Sequence, residues 1–330
     1  MAKGGKGNNG CVVGVDLGGT KILAAVVDSK FSVLSRSKSP TASEDGPEAV
    51  VDRIVGCIKA AVKQTDLRMK SISGIGIGAP GPLNPDTGVV AFAPNLGWHD
   101  VPLKDMLESR LSIPTVVEND VNAGTLGEHR LGAGQGVKDM IGVFVGTGIG
   151  GGVVTKGKLH RGFNQSAGEV GHMVVEMDGP MCGCGNPGCW EAVASRTAIA
   201  RRLAKAMKSK KNARTPIYRM TGGDPSKIKS GALKRALLKG DPLVKQELRR
   251  EADYLGLGVA NLVNFFSPQM VVMGGGVVEA LGERLLKRVR RQAGRYALEH
   301  AIQGVKIVPA KLGDDAVFIG CAALVRDRVK

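Results

Sequence analysis

The sequence predicts an α/β protein of two domains, and three observations carry the prediction. Short apolar runs that end on an acid or a glycine turn, at residues 11–16 and 140–145, alternate with amphipathic helical stripes such as 48–64. An apolar strand, a Gly/Thr-rich turn and a second apolar strand open the chain and recur about 130 residues later, which suggests a duplicated architecture. At 330 residues the chain is also long enough for two domains that each bury a core.

Taken in order, residues 11–16 read as a buried strand ending on Asp16, and Leu17-Gly18-Gly19-Thr20-Lys21 turns the chain into a second strand over 22–28. A Walker A loop or a dinucleotide fingerprint would instead lead from a strand into a helix, with its own glycine spacing. Val51, Ile54, Val55, Ile58 and Val62 form one stripe of a helix over 48–64. A strand over 72–77 leads into the loop Gly78-Ala79-Pro80-Gly81-Pro82. A second loop, Pro94-Asn95-Leu96-Gly97-Trp98, precedes a short helix over 103–111. The strand at 114–117 ends on Glu118-Asn119-Asp120, polar residues at the carboxyl end of a strand, where α/β sheets hold ligands.

A helix is expected over 121–131. The strand at 140–145, a glycine turn over 146–152 and a strand at 153–155 repeat the opening unit. Beyond a cysteine-rich loop come a helix over 192–209, a polar loop or insertion over 209–231, and a long helix over 242–266 interrupted by Gly256 and Gly258. A strand over 270–273 runs into Gly274-Gly275-Gly276. A basic amphipathic helix over 281–296, a strand over 305–309 and a helix over 316–325 complete the chain.

Composition excludes some functions. No run of about 18 apolar residues exists, so no membrane span is expected. The start, Met1-Ala2-Lys3-Gly4-Gly5-Lys6, lacks the apolar core of a signal peptide, which points to the cytoplasm. The formal charge of +16 is concentrated in residues 201–250, where 16 Lys/Arg face three Asp/Glu. Nucleic-acid binding would want stacking aromatics or a groove-reading element beside such a patch. Tyr218 is the one aromatic there, so the stretch reads as a solvated helical face plus a loop, and no nucleic-acid partner is expected.

Residues 168–191 carry the most specific chemistry. His172, Cys182, Cys184 and Cys189 have the ligand types and close spacing of a structural Cys₃His zinc site. Thiolates at this density in a chain of cytosolic type are more often metal ligands than disulfide partners. Cys11, Cys57 and Cys321 fall outside every motif and read as small buried apolar residues. The glycine turns suit phosphate, because backbone N–H groups without side chains allow close approach. Gly18, Gly19 and Thr20 serve the first turn, and Gly146, Thr147 and Gly148 the second. Lys21 either adds a charge to the first turn or points to solvent. Asp16, at the end of its strand, is placed to hold Mg²⁺ through water.

In this order the motifs resemble the ROK family (repressors, open reading frames and sugar kinases), most closely its bacterial glucokinases. The resemblance covers nearly the whole chain. It rests on Asp16 to Lys21, Gly78-Ala79-Pro80-Gly81, Glu118 to Ala123, Gly146 to Gly151, Glu169-Val170-Gly171-His172, the Cys-x-Cys-Gly-x-x-Gly-Cys-x-Glu loop and Gly274 to Gly276. It implies an actin-like, ribonuclease-H-like ATPase fold of two α/β domains around a central cleft. The smaller domain would span 1–118 plus 313–330, and the larger 119–312.

The implied activity is transfer of the ATP γ-phosphoryl to a hexose 6-hydroxyl, glucose first, with Asp120 as general base; Asp120 also suits a helix N-cap. Gly81, Asn95, Asn119, Asp120, Glu169, His172 and Glu191 would bind the sugar. Asp16, Gly18, Gly19, Thr20, Lys21, Gly146, Thr147, Gly148, Gly275 and Gly276 would bind ATP. Alternatives are a kinase for mannose, N-acetylglucosamine, N-acetylmannosamine or fructose, or a non-catalytic sugar-sensing regulator. Family repressors carry a helix-turn-helix domain before the first phosphate turn, and about ten residues precede that strand here. The partners expected are ATP, a hexose and further copies of the chain, as a homodimer or homotetramer.

Overall fold

The computed structural model describes residues 10–328; the polar start at Met1 to Lys6 lies outside them. In chain order, β1 (Cys11–Leu17), β2 (Lys21–Val27) and β3 (Val33–Pro40) form a meander that leads into α1 (Gly46–Lys63). Next come β4 (Ile72–Ala79), the short strands β5 (Leu83–Asn84), β6 (Val89–Ala93) and β7 (Trp98–Val101), then α2 (Leu103–Leu111), β8 (Thr115–Asn119) and α3 (Asp120–Leu131). A second meander, β9 (Met140–Val145), β10 (Ile149–Thr155) and β11 (Lys158–His160), precedes α4 (Trp190–Ala194), α5 (Arg196–Met207), α6 (Pro216–Thr221), α7 (Ser230–Leu238) and α8 (Pro242–Phe266). The chain closes with β12 (Met270–Gly274), α9 (Gly276–Leu281), α10 (Glu283–Tyr296), α11 (Glu299–Ile302), β13 (Lys306–Pro309) and α12 (Ala316–Arg328).

Two compact units result. Unit 1 takes the described chain through Gln135, Arg161–Ala167 and the chain from Asp314 onward; unit 2 takes Gly136–His160 and Gly168–Gly313. The boundary expected at 118/119 therefore differs from the observed one. α3 belongs to unit 1 because α12 packs along it. Gly127 and Gly320 let the two backbones touch there, since a Cβ on either would collide with a carbonyl of the other helix.

Each unit is organised on a five-stranded sheet of one topology. Unit 1 has the order β3-β2-β1-β4-β8 and unit 2 the order β11-β10-β9-β12-β13. In both, a three-stranded antiparallel meander is extended by two parallel strands. The duplication suggested by the two strand–turn–strand segments is thus a duplication of whole sheets. Unit 1 adds a small sheet, β5-β6-β7. Central strands are nearly continuous apolar runs, as sheets buried on both faces require.

Several local expectations change. The edge strand β3 was not expected: its sequence, Val-Leu-Ser-Arg-Ser-Lys-Ser-Pro, alternates partly buried with exposed positions, and its cations guard a sheet edge. Gly150, Gly151 and Gly152 lie within β10, so the second turn shrinks to Gly146-Thr147-Gly148. The helix expected over 192–209 begins as α4 and breaks at Ser195, whose hydroxyl caps α5 by accepting from Ala198 N–H. The loop expected over 209–231 holds α6 and the start of α7. α8 runs unbroken through Gly256 and Gly258, because Gly258 makes room for the fully buried Trp190 indole rather than ending the helix. The helix expected over 281–296 is α10, which starts at Glu283 after Gly282 separates it from the short, unexpected α9.

Candidate active site

In unit 1 the three parallel strands β1, β4 and β8 align Asp16, Gly78 and Glu118 in one row at their carboxyl ends. Gly78 is the low point of that row. A Cβ there would press on the Asp120 backbone and on Val317. Asp16 is partly buried, and burial pushes its carboxyl up to about 6 against the pull of Lys21, with Asp314 raising it further. The Lys21 ammonium is engaged with Asp314 at 2.7 Å.

Asn119 is the N-cap of α3: its Oδ1 accepts from the backbone N–H groups of Val121 (3.0 Å) and Asn122 (3.1 Å). Its amide nitrogen donates to Gly81 O at 3.3 Å. The capping role considered for Asp120 therefore falls to Asn119, and Asp120 occupies the first helical position, its Oδ1 accepting from Val121 N–H at 2.8 Å. Gly81 sits at φ 86 against the Phe92 carbonyl, a place that admits only glycine. The first phosphate turn is tight, with Gly18 N–H donating to Lys21 O at 2.9 Å and Thr41 Oγ1 to Gly18 O at 2.6 Å. Gly19 packs on Asn95, whose loop forms a short 3₁₀ turn, Pro94–Leu96. Within unit 1, then, Asp16, Gly18, Gly19, Lys21, Gly81, Asn95, Asn119 and Asp120 belong to one connected end of the sheet.

In unit 2 the corresponding turn is Gly146-Thr147-Gly148, and α5 is stitched to it. Arg196 N–H donates to Gly146 O at 3.0 Å, Thr197 Oγ1 to Thr147 O at 2.8 Å, and the Arg196 guanidinium to Thr147 Oγ1 at 2.5 Å. Gly275, which opens α9, abuts the Val145 carbonyl, so the two glycine segments predicted for ATP adjoin. A cavity of about 1230 Å³ begins at this place. Its walls include Arg196 and Thr197, with Tyr218, Pro225, Ile228 and Lys229 from the stretch left without a role by the sequence. Ser230, next in the chain, touches Gly276.

Glu191 joins this turn to the cysteine loop. Its Oε2 accepts from Ile149 N–H at 2.9 Å, and its Oε1 lies 3.8 Å from Cys182 Sγ. A Cβ on Gly148 would collide with that carboxylate. Glu169 is exposed, and its carboxylate lies 3.9 Å from His172 Nε2.

The four expected metal ligands converge. Cys182 Sγ is 3.7 Å from His172 Nδ1, Cys184 Sγ is 3.6 Å from Cys189 Sγ, and all four donor atoms lie within 4.8 Å of one another. A zinc tetrahedron with Zn–S bonds near 2.3 Å has edges of about 3.8 Å. The donor set therefore fits zinc in chemistry and in size. Burial pushes the Cys189 thiol up to about 12 and also raises Cys182, while the Asn186 backbone N–H first of all lowers Cys184 to about 7. Zinc would take the buried sulfurs as thiolates and offset the cost of their charge. The other three cysteines are buried, as expected.

The ROK family model matches residues 12–328. The chain belongs to the ROK family. Among ROK relatives, the glucokinase of Streptomyces coelicolor is 36% identical over 319 residues, covering 96% of this chain and 98% of that protein. The glucokinase of Thermotoga maritima is 37% identical over 319 residues, again covering 96% and 98%. A ROK family glucokinase from Streptomyces griseus, solved in complex with glucose and AMPPNP, superposes with a TM-score of 0.83 at 37% identity, covering 96% of this chain and all of that one. The fold is the actin-like ATPase fold that the ROK resemblance implied.

Two features of this ROK chain went unread in the sequence. Arg196 was invisible because no motif marks it; its position one residue after a Ser N-cap was the only available signal. The Arg161–Glu118 ion pair joins residues 43 apart in the chain, and periodicity cannot report such contacts.

Proposed function

We propose that this chain is an ATP-dependent hexose kinase that phosphorylates the 6-hydroxyl of glucose, a glucokinase. What carries the reading is the end-to-end likeness, at 36–37% identity, to proteins named glucokinases, one of them solved with glucose and AMPPNP bound. Cytoplasmic location and assembly into a homodimer or homotetramer complete the proposal.

Phosphoryl transfer asks a protein mainly for positioning and charge stabilisation. Asp120, fixed at the first position of α3, orients the attacking hydroxyl and takes its proton late in the transfer. Asn119 spends its oxygen on the helix cap, so its contact with a sugar hydroxyl comes from the amide hydrogen not given to Gly81. Glu169, His172 and Glu191 are the sugar-facing residues of unit 2, and zinc on His172 Nδ1 leaves Nε2 for a hydroxyl. Asp16 would hold Mg²⁺, which keeps much of its water and needs few protein ligands. When bound, Mg²⁺ supplies charge neutralisation on the ATP phosphates. Gly18, Gly19 and Thr20, with Gly146, Thr147 and Gly148, bring backbone N–H groups to phosphate oxygens. The adjoining basic cavity accommodates the nucleoside, with Gly275 and Gly276 at its edge.

An assay of hexose-phosphate formation with Mg²⁺, paired with ADP release when ATP is the donor, tests this across glucose, mannose, fructose, N-acetylglucosamine and N-acetylmannosamine, with ATP and polyphosphate as donors. Highest kcat/KM with glucose and ATP is expected. Turnover of no hexose would remove the kinase reading, and preference for another sugar would move the assignment within the family.

A further inference from the structure

Glu118 stands immediately before Asn119 and Asp120 and is 2% exposed. A buried carboxylate is tolerated only with charge and hydrogen-bond partners, and this one is fully engaged. Arg161 donates to Glu118 Oε2 from both Nε and Nη2 at 2.7 Å. Glu118 Oε1 accepts from Asn119 N–H at 3.1 Å and from Asn122 Nδ2 at 3.2 Å. The two oxygens thus have separate tasks. One faces the cation, and the other grips the first turn of α3 on either side of Asp120.

Arg161 is not on a regular element. It begins the Arg161–Ala167 segment of unit 1, a loop closed on itself by Ala167 N–H donating to Arg161 O at 2.9 Å. Its guanidinium, partly shielded, ties that loop to β8. A lysine could supply the charge but not the paired donors that hold one carboxylate oxygen in a fixed direction.

We propose that Arg161 is a positioning residue for phosphoryl transfer: through Glu118 it fixes Asn119 and Asn122, and with them the direction of the Asp120 carboxylate. This rests on the kinase reading with Asp120 as base. A small misplacement of a reacting group is costly, of order a hundredfold for about 1 Å. The larger defect belongs in kcat, because Arg161 and Glu118 reach the substrate only through Asn119, which makes one of several sugar contacts, whereas Asp120 is the sole base.

The test compares wild-type protein with Arg161→Met, Arg161→Lys, Glu118→Gln and the double variant Arg161→Met/Glu118→Gln. Thermal midpoints, kcat and both KM values are measured for each. Arg161→Met should lower kcat by at least about tenfold while both KM values stay within about threefold. Arg161→Lys should fall between it and wild type. The double variant, which keeps the acceptor oxygen but removes the unpaired buried charge, should recover kcat relative to Arg161→Met. Amide exchange at Asp120 to Asn122, read without substrate, should be faster in Arg161→Met than in Arg161→Lys. A kcat for Arg161→Met within about twofold of wild type overturns the proposal, as does a loss that only follows the unfolded fraction or leaves amide exchange unchanged. Wild-type protein that turns over no hexose instead overturns the kinase reading.

Discussion

The two glycine turns sit on sheets of identical topology, yet they are furnished differently. In unit 1 the turn is flanked by carboxylates: Asp16 before it, and Glu118 and Asp120 across the sheet end. Its cation, Lys21, is already neutralised by Asp314. In unit 2, Phe144 takes the place held by Asp16 in unit 1: each precedes the last pair of its hairpin and neighbours a glycine of the next parallel strand. The turn is served by Arg196, whose guanidinium donates to Thr147 and to no carboxylate among the described residues. A duplicated scaffold presents backbone N–H groups twice, but side chains divide the labour. In the proposed reading, unit 1 has the acid–base and metal-facing chemistry, with an Asp16 carboxyl whose burial makes a nearby cation welcome. Unit 2 has the uncompensated positive charge suited to phosphate, with the His172, Cys182, Cys184 and Cys189 cluster linked to its turn through Glu191.

The hardest test of this division is Asp120→Asn. The amide keeps size and polarity but cannot accept the hydroxyl proton, so kcat should fall by about a thousandfold with sugar binding retained. Equilibrium binding of glucose beside steady-state kinetics separates the two effects. An active variant would take the acid–base role out of unit 1 and erase the contrast at its strongest point.

Cys189→Ser addresses unit 2 in the same way, with a smaller expected effect. Metal analysis should find about one zinc per wild-type chain and less in the variant. Because Glu191 lies next to Cys182 and holds the Ile149 amide, loss of the metal should loosen both His172 and the phosphate turn. KM for glucose should rise by about tenfold, or the loop should lose protection from proteolysis. Fully active enzyme without zinc would reduce the cluster to a passive clip.

Much of this was legible in the sequence, and the legible part has a common cause. Strands such as 140–145 and 270–273 are buried apolar runs, the zinc ligands are close in sequence, and α8 follows its stripe from Pro242 to Phe266. These are local signals. What escaped was set at a distance or by competition. β3 is half polar because it is an edge, and its pairing with β2 decides it. Gly258 looks like a helix breaker until Trp190, 68 residues earlier in the chain, is placed against it. The segment 209–231 looks like loop because its helices are short, yet Ile217 and Ile228 anchor it to the core of unit 2 and make it a wall of the cavity. Asn119 and Asp120 were both singled out, but which of them caps α3 depends on geometry that spacing does not fix.

The finest form of the comparison sets the two cations against each other. Arg196→Ala removes a charge with no acidic partner at the mouth of the basic cavity, so KM for ATP should rise by about tenfold, roughly the loss of one charge-assisted hydrogen bond. Lys21→Ala removes a partner from an ion pair whose acid, Asp314, is largely exposed. Such pairs contribute about 1 kcal/mol or less to stability. If Lys21 is spent on Asp314, its loss should change KM for ATP by no more than about twofold, because the ammonium then makes no phosphate contact and the Asp314 carboxylate left behind is largely exposed and screened by solvent. If Lys21 instead swings to the nucleotide when it binds, KM for ATP should rise as far as in Arg196→Ala, and Asp314→Ala alone should lower it by freeing the ammonium. Steady-state titration of ATP against the three variants decides between these outcomes, and a Lys21 effect equal to that of Arg196 would make the two turns equivalent phosphate holders.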